Sequence, residues 1–73
     1  MRVLLRNIGT SVLNFNFTGY DVTPTIVAVV VGDSESVETN LSMIEFRKIP
    51  EIDTALVSGD INMSFSGGVA SMS

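Results

Sequence analysis

Thr25-Ile26-Val27-Ala28-Val29-Val30-Val31 is the stretch on which the fold turns. It is β-branched except for Ala28 and carries no polar residue after Thr25. Branching at Cβ stiffens χ1 and favours a pleated, extended backbone. The apolar run over residues 26–31 is far shorter than the about 20 residues that a membrane-spanning helix needs. It therefore predicts a strand. A strand that is apolar on both faces is covered on both sides. In a thin sheet, the second cover comes from a helical segment or from another subunit.

Working upstream, Thr18-Gly19-Tyr20-Asp21 is a turn, and Pro24 argues against a central strand over residues 22–25. Residues 12–17 alternate, with Leu13, Phe15 and Phe17 on one side and Asn14 and Asn16 on the other. That period of two predicts a strand with one buried face. Residues 2–8 are mostly apolar and β-prone, and Gly9-Thr10-Ser11 follows as a turn signal, so the first two strands are expected to form a hairpin. Downstream, Gly32-Asp33-Ser34-Glu35 predicts a second hairpin turn, with residues 36–40 as the return strand.

The pattern changes at Leu41. Ser42-Met43-Ile44-Glu45 fits a capping box, in which the serine oxygen and the glutamate each satisfy an orphan backbone donor. A short helix over residues 43–48 follows, with Arg47 and Lys48 near its negative end. Pro50 suits a first helical position, Ile52, Ala55 and Leu56 share a face, and Gly59 suits the stop. Ile61, Met63 and Phe65 then alternate with Asn62, Ser64 and Ser66, which predicts a last strand. Residues 67–73 are small and Gly-rich and read as a flexible tail. The expected fold is mainly β, a small α+β domain over residues 1–66. It has a compact antiparallel sheet or partial barrel of about five strands, with one or two short helices before the last strand.

Composition narrows what such a domain can do. A chain of 73 residues has room for one domain, which buries only about 60% of the surface its unfolded form exposes. Small scaffolds usually add disulfides, a metal or oligomerisation. Cysteine and histidine are both absent, which removes disulfides, thiolate sites and the commonest metal ligand, and leaves oligomerisation. Hydrophobic residues make up 45% and charged residues only 16%, with a mean hydropathy of +0.42. That much apolar surface in so small a body predicts a partner-facing patch.

Chemistry is thinly provided. Net charge is −4, and the basic residues Arg2, Arg6, Arg47 and Lys48 form no stripe for nucleic-acid phosphates. Serine and threonine have no histidine or cysteine beside them, and Lys48 is the one lysine, so no nucleophile has a visible activator. The carboxylates fall in turns, at helix starts or on an exposed strand face, where solvation and capping account for them. Asp33, Glu35 and Glu38 lack the alternate-position pattern of a calcium loop. The expectation is a protein that is not an enzyme, with no cofactor, metal, small-molecule substrate, nucleic-acid or membrane partner. At the N-terminus Val3-Leu4-Leu5 is interrupted at once by Arg6 and Asn7, too short for the apolar part of a signal peptide. Synthesis in the cytoplasm is expected.

Three stretches carry a resemblance. The first is the basic opening strand ending in Asn, Arg2-Val3-Leu4-Leu5-Arg6-Asn7, and the second is the turn and strand Gly32-Asp33-Ser34-Glu35-Ser36-Val37. The third is a short helix running into Gly-Asp and an apolar strand, Ile52-Asp53-Thr54-Ala55-Leu56-Val57-Ser58-Gly59-Asp60-Ile61. Together they resemble the very short, cysteine-free structural proteins of tailed bacteriophages. The resemblance implies a virion component made in the host cytoplasm, most simply a capsid decoration or cement subunit that binds the major capsid protein and neighbouring copies. A tail, baseplate or head–tail connector piece is the alternative within that class. A small protein-binding regulator or inhibitor is the alternative of another class, since acidic charge and exposed apolar surface suit it equally. Val27, Val29 and Val31 on one face of the apolar strand, Tyr20 in its turn, and Gly67 and Gly68 at the tail are the expected interface residues.

Overall fold

In a computed structural model, which describes residues 1–66, alternating burial along the first strand already shows how the layers form. β1 (Arg2–Asn7) buries Val3, Leu5 and Asn7 and turns Arg2, Leu4 and Arg6 outward. It is followed by β2 (Leu13–Asn16), β3 (Val22–Thr23), β4 (Ile26–Val29) and β5 (Ser34–Thr39). Two helices, α1 (Met43–Arg47) and α2 (Pro50–Ser58), then precede β6 (Ile61–Ser66). The fold is thus mainly β and antiparallel, with both short helices before the last strand, as the sequence predicts. The expected tail, residues 67–73 with Gly67 and Gly68, lies outside the described residues.

The pairing differs from the two expected hairpins. β1 does not ladder with β2, nor β4 with β5. A four-stranded sheet runs in the order β3-β5-β1-β6, and β2 and β4 form a separate two-stranded ribbon. β1 pairs with β5 through Val3↔Val37 and with β6 through Val3↔Phe65. β5 also begins earlier than expected, at Ser34 rather than Ser36. The chain passes between the two sheets at every step from β1 to β5, and the shortest crossing is at Pro24. β3 ladders on β5, and past the cis Thr23–Pro24 bond the chain peels away as β4 to ladder on β2. Pro24 has no N–H to offer a ladder, so β3 ends there as a two-residue edge strand.

The core lies between the sheet, the ribbon and the helices. Val3, Leu5, Val37 and Ile61 come from the sheet, Phe15, Val27 and Val29 from the ribbon, and Phe46, Ile49, Ile52 and Ala55 from the helical segment. Four phenylalanines cross this space in contact. Phe15 stacks on Phe17 with centroids 5.7 Å apart, Phe17 meets Phe46 at 5.8 Å, and Phe46 meets Phe65 edge-on at 6.2 Å. These separations fall in the favourable range for aromatic pairs. The aromatic run therefore connects β2 to β6 through α1, which neither sheet does by hydrogen bonding.

Local signals set the helices as read. Glu45 N–H donates to Ser42 Oγ and Ser42 N–H donates to Glu45 Oε1, each at 3.1 Å, which completes the capping box. Replacing Ser42 by alanine is expected to lower stability by about 1 kcal/mol, read from a urea melt, because the Glu45 amide loses its partner. An unchanged midpoint would show that α1 is held by Phe46 packing alone. Pro50 opens α2 at its first position, where a missing N–H is harmless. Gly59 closes it at φ 78°, a left-handed conformation that suits glycine, with its N–H on the Ala55 and Leu56 carbonyls.

Candidate assembly surfaces

The register of the ribbon divides its side chains into two sets. Leu13 stands opposite Val29 and Phe15 opposite Val27, and all four point at the core. Asn14 stands opposite Ala28 and Asn16 opposite Ile26, and all four are exposed. Val12, just before β2, and Val30, just after β4, are also exposed. The outward face of the ribbon thus presents Val12, Ile26, Ala28 and Val30 beside two asparagines, with no charged group. Ile26 is 65% exposed and Val30 is 54% exposed.

This corrects part of the expectation. Val27 and Val29, at 6% and 0% exposure, are core residues facing Phe15 and Leu13, so a partner cannot reach them. Val31 is exposed, but it lies beyond the end of β4 in the turn toward β5. The strand is apolar on both sides, as expected. Its inner side is covered by this chain, and its open side is the even-numbered one. Tyr20 is exposed at 41% in the turn between β2 and β3, whose backbone is closed by Tyr20 N–H to the Phe17 carbonyl and Val22 N–H to the Tyr20 carbonyl.

Asn7 fixes the end of the ribbon where Val12 and Val30 stand. Its side chain is fully buried. Its Nδ2 donates to the Ser11 carbonyl and to the Val29 carbonyl, each at 2.8 Å, and its Oδ1 accepts from Gly9 N–H at 2.9 Å. Its backbone N–H donates to the Asp33 carbonyl, and its carbonyl accepts from Gly32 N–H. One residue therefore ties the β1–β2 loop, the end of β4 and the β4–β5 turn together. Gly9 lies so close to the start of β6 that a Cβ there would sit 2.6 Å from Asp60 Oδ1. The sequence signal was an Asn at the end of an apolar strand just before Gly-Thr-Ser, which reads as turn chemistry and hides a buried network.

Five of the eight acids have structural partners. Glu38 pairs with Arg2 at 3.0 Å, Glu45 completes the capping box, and Glu51 Oε1 accepts from the Asn16 N–H at 2.7 Å. Asp21 accepts from Asn40 Nδ2, and Asp60 accepts from the Ser58 hydroxyl. Among the described residues, no group of three or more Asp or Glu side chains is arranged to hold a metal ion. Between β2 and α2 runs an open groove of about 330 Å³, floored by Phe15 and Ala55 and edged by Asn14, Glu51, Thr54 and Ser58. Both of its acids have partners, since Glu51 holds a strand amide and Asp60 accepts from the Ser58 hydroxyl. No helix of the described residues is long and apolar enough to cross a membrane.

Comparison with family models, with curated proteins and with solved structures finds no match for this chain.

Proposed function

We propose that this chain is a non-catalytic structural subunit that seats the outward face of its β2–β4 ribbon on a larger protein shell and packs beside copies of itself. One observation carries the reading: the strand whose odd residues build the core turns an equally apolar, uncharged set, Ile26, Ala28 and Val30, toward solvent. Contiguous exposed apolar surface of this kind is the usual mark of a protein-binding site. A two-stranded ribbon is also marginal by itself, so cover on its second face adds stability as well as contact. The resemblance to short virion proteins of tailed phages supplies the setting, a capsid decoration or cement subunit bound to the major capsid protein. A tail, baseplate or connector position keeps the same surface and changes only the copy number.

The test is distribution. In particles purified from cells that make this chain, the protein is expected to co-sediment with the particle in many copies. A copy number matching a single ring moves it to the tail or connector. A protein that stays wholly in the soluble lysate as a free monomer contradicts the proposal and favours a diffusible inhibitor.

A further inference from the structure

Among the described residues, β6 is an edge strand of the four-stranded sheet, with no strand on its outer side. Ile8 N–H donates to the Asp60 carbonyl at 2.9 Å, and β6 follows with Arg6 opposite Asn62, Leu4 opposite Ser64 and Arg2 opposite Ser66. In an antiparallel ladder, hydrogen-bonded positions alternate along the strand. The even residues of β6 therefore bond to β1, and the N–H and C=O groups of Ile61, Met63 and Phe65 point away from the sheet. Among the described residues, none of these groups has a partner.

Edges are normally blunted by charge, proline, brevity or a covering element. Two of the other three edges follow that rule, and the third, β4, is only four residues long. β3 is two residues long and stops at Pro24, and β2 runs beneath α2 with Glu51 capping the Asn16 amide. β6 is six residues long and contains no charge, no proline and no glycine.

We propose that β6 pairs antiparallel with β6 of a second copy about a two-fold axis at Met63, joining two four-stranded sheets into one continuous sheet. The strand is complementary to its own image. Met63 then faces Met63 of the second copy, and Ile61 faces Phe65 in both directions, each pair exchanging two backbone hydrogen bonds. Asn62 falls opposite Ser64 of the second copy, on the solvent side. Met63 and Phe65, half-buried in one copy, are covered by the other. The self-complementary register favours a copy of this chain as the occupant, and charge does not oppose it. The protein carries net −4, yet β6 is neutral and its neighbour β1 bears only Arg2 and Arg6. Asp60, the nearest acid in sequence, meets Ser66. Two copies thus approach along this edge without opposing their acids. The pairing rests on the assembly reading above only in supplying contact between copies, and uses none of the ribbon residues.

Residue-resolved hydrogen exchange on the full chain, at rising protein concentration, tests the pairing. The amides of Asn62, Ser64 and Ser66 are expected to be protected throughout. Those of Ile61, Met63 and Phe65 are expected to gain protection as concentration rises. The double variant Asn62→Lys with Ser64→Lys changes only exposed side chains and sets lysine against lysine across the axis. It is expected to weaken dimerisation by at least about tenfold in sedimentation equilibrium while keeping the native spectrum. Rapid exchange of the three outward amides at every concentration would overturn the proposal. So would protection independent of concentration, which means that the chain covers its own edge, or a dimer that survives the double variant. Particle binding by the same samples is read separately. Its failure beside concentration-dependent protection sinks the shell reading and leaves the pairing standing.

Discussion

Replacing Asn7 by aspartate is expected to unfold the domain at neutral pH. The substitution keeps shape and preserves the acceptor for the Gly9 amide. It removes the Nδ2 donor that two carbonyls share, and puts a carboxylate against Ser11 O and Val29 O in a fully buried site. A buried carbonyl left without a donor costs about 1–3 kcal/mol, and an unpaired buried charge costs several more. A domain of this length has roughly 4 to 11 kcal/mol of stability in total, and small domains lie toward the low end. The sum of the penalties is comparable to the whole.

The sign with pH follows. Burial and the two facing carbonyls disfavour the anion, so the native state holds the new proton more tightly than the unfolded chain does. Below the unfolded value of about 3.9, both states are protonated and the penalty is smallest. Above it, the unfolded chain ionises freely and the native state cannot, so stability falls as pH rises. Urea melts of the variant and the parent protein are expected to converge toward pH 4 and to separate widely by pH 7. Parallel curves across that range would show that the Asn7 site is open to water.

The second large effect is a contrast between Val29, the last residue of β4, and Val30, the residue after it. Val29→Asp is expected to abolish folding, because its side chain is fully enclosed opposite Leu13 and beside the Asn7 network. Val30→Asp, one residue on, is expected to leave the thermal midpoint nearly unchanged and to abolish docking on the particle. A carboxylate on that face stays hydrated in the free chain and becomes an unpaired buried charge only when a partner covers it. Circular dichroism separates the two variants without any assembly assay, and co-sedimentation then reads the second. A folded Val29→Asp protein, or a Val30→Asp protein that docks normally, would show the two faces to be assigned the wrong way round.

Much of the local structure was legible in the sequence, because it depends on neighbours in the chain. Ser42 and Glu45 are three residues apart and complete their box within one turn of helix, and Pro50 and Gly59 act through their own φ angles. The alternation of Ile61, Met63 and Phe65 against Asn62 and Ser64 carries directly into β6. Pairing was not legible by the same means. Gly9-Thr10-Ser11 has the composition of a hairpin turn, yet Asn7 captures Ser11 and directs the chain into the second layer. β1 is then free to pair with β5 and β6, which arrive much later in the chain.

The candidate surface shows the same division. Residues 26–31 declare an apolar strand, and alternation splits them into two faces, but nothing within the stretch says which face is inner. That depends on the register with β2, where Phe15 meets Val27. The expectation accordingly turned Val27 and Val29 toward a partner, where the register with β2 buries them in the core. The edge position of β6 among the described residues was hidden for a similar reason, since an edge exists only once the strand order is known.

Carbene footprinting of the free and the particle-bound protein tests the account most directly, because it reports which side chains water can reach. Ile26 and Val30 are predicted to label strongly in the free chain and to fall to background when bound, while Val27 and Val29 stay unlabelled in both states. Equal labelling of Ile26 and Val30 in the two states would mean that no other protein covers this face, and would contradict the account.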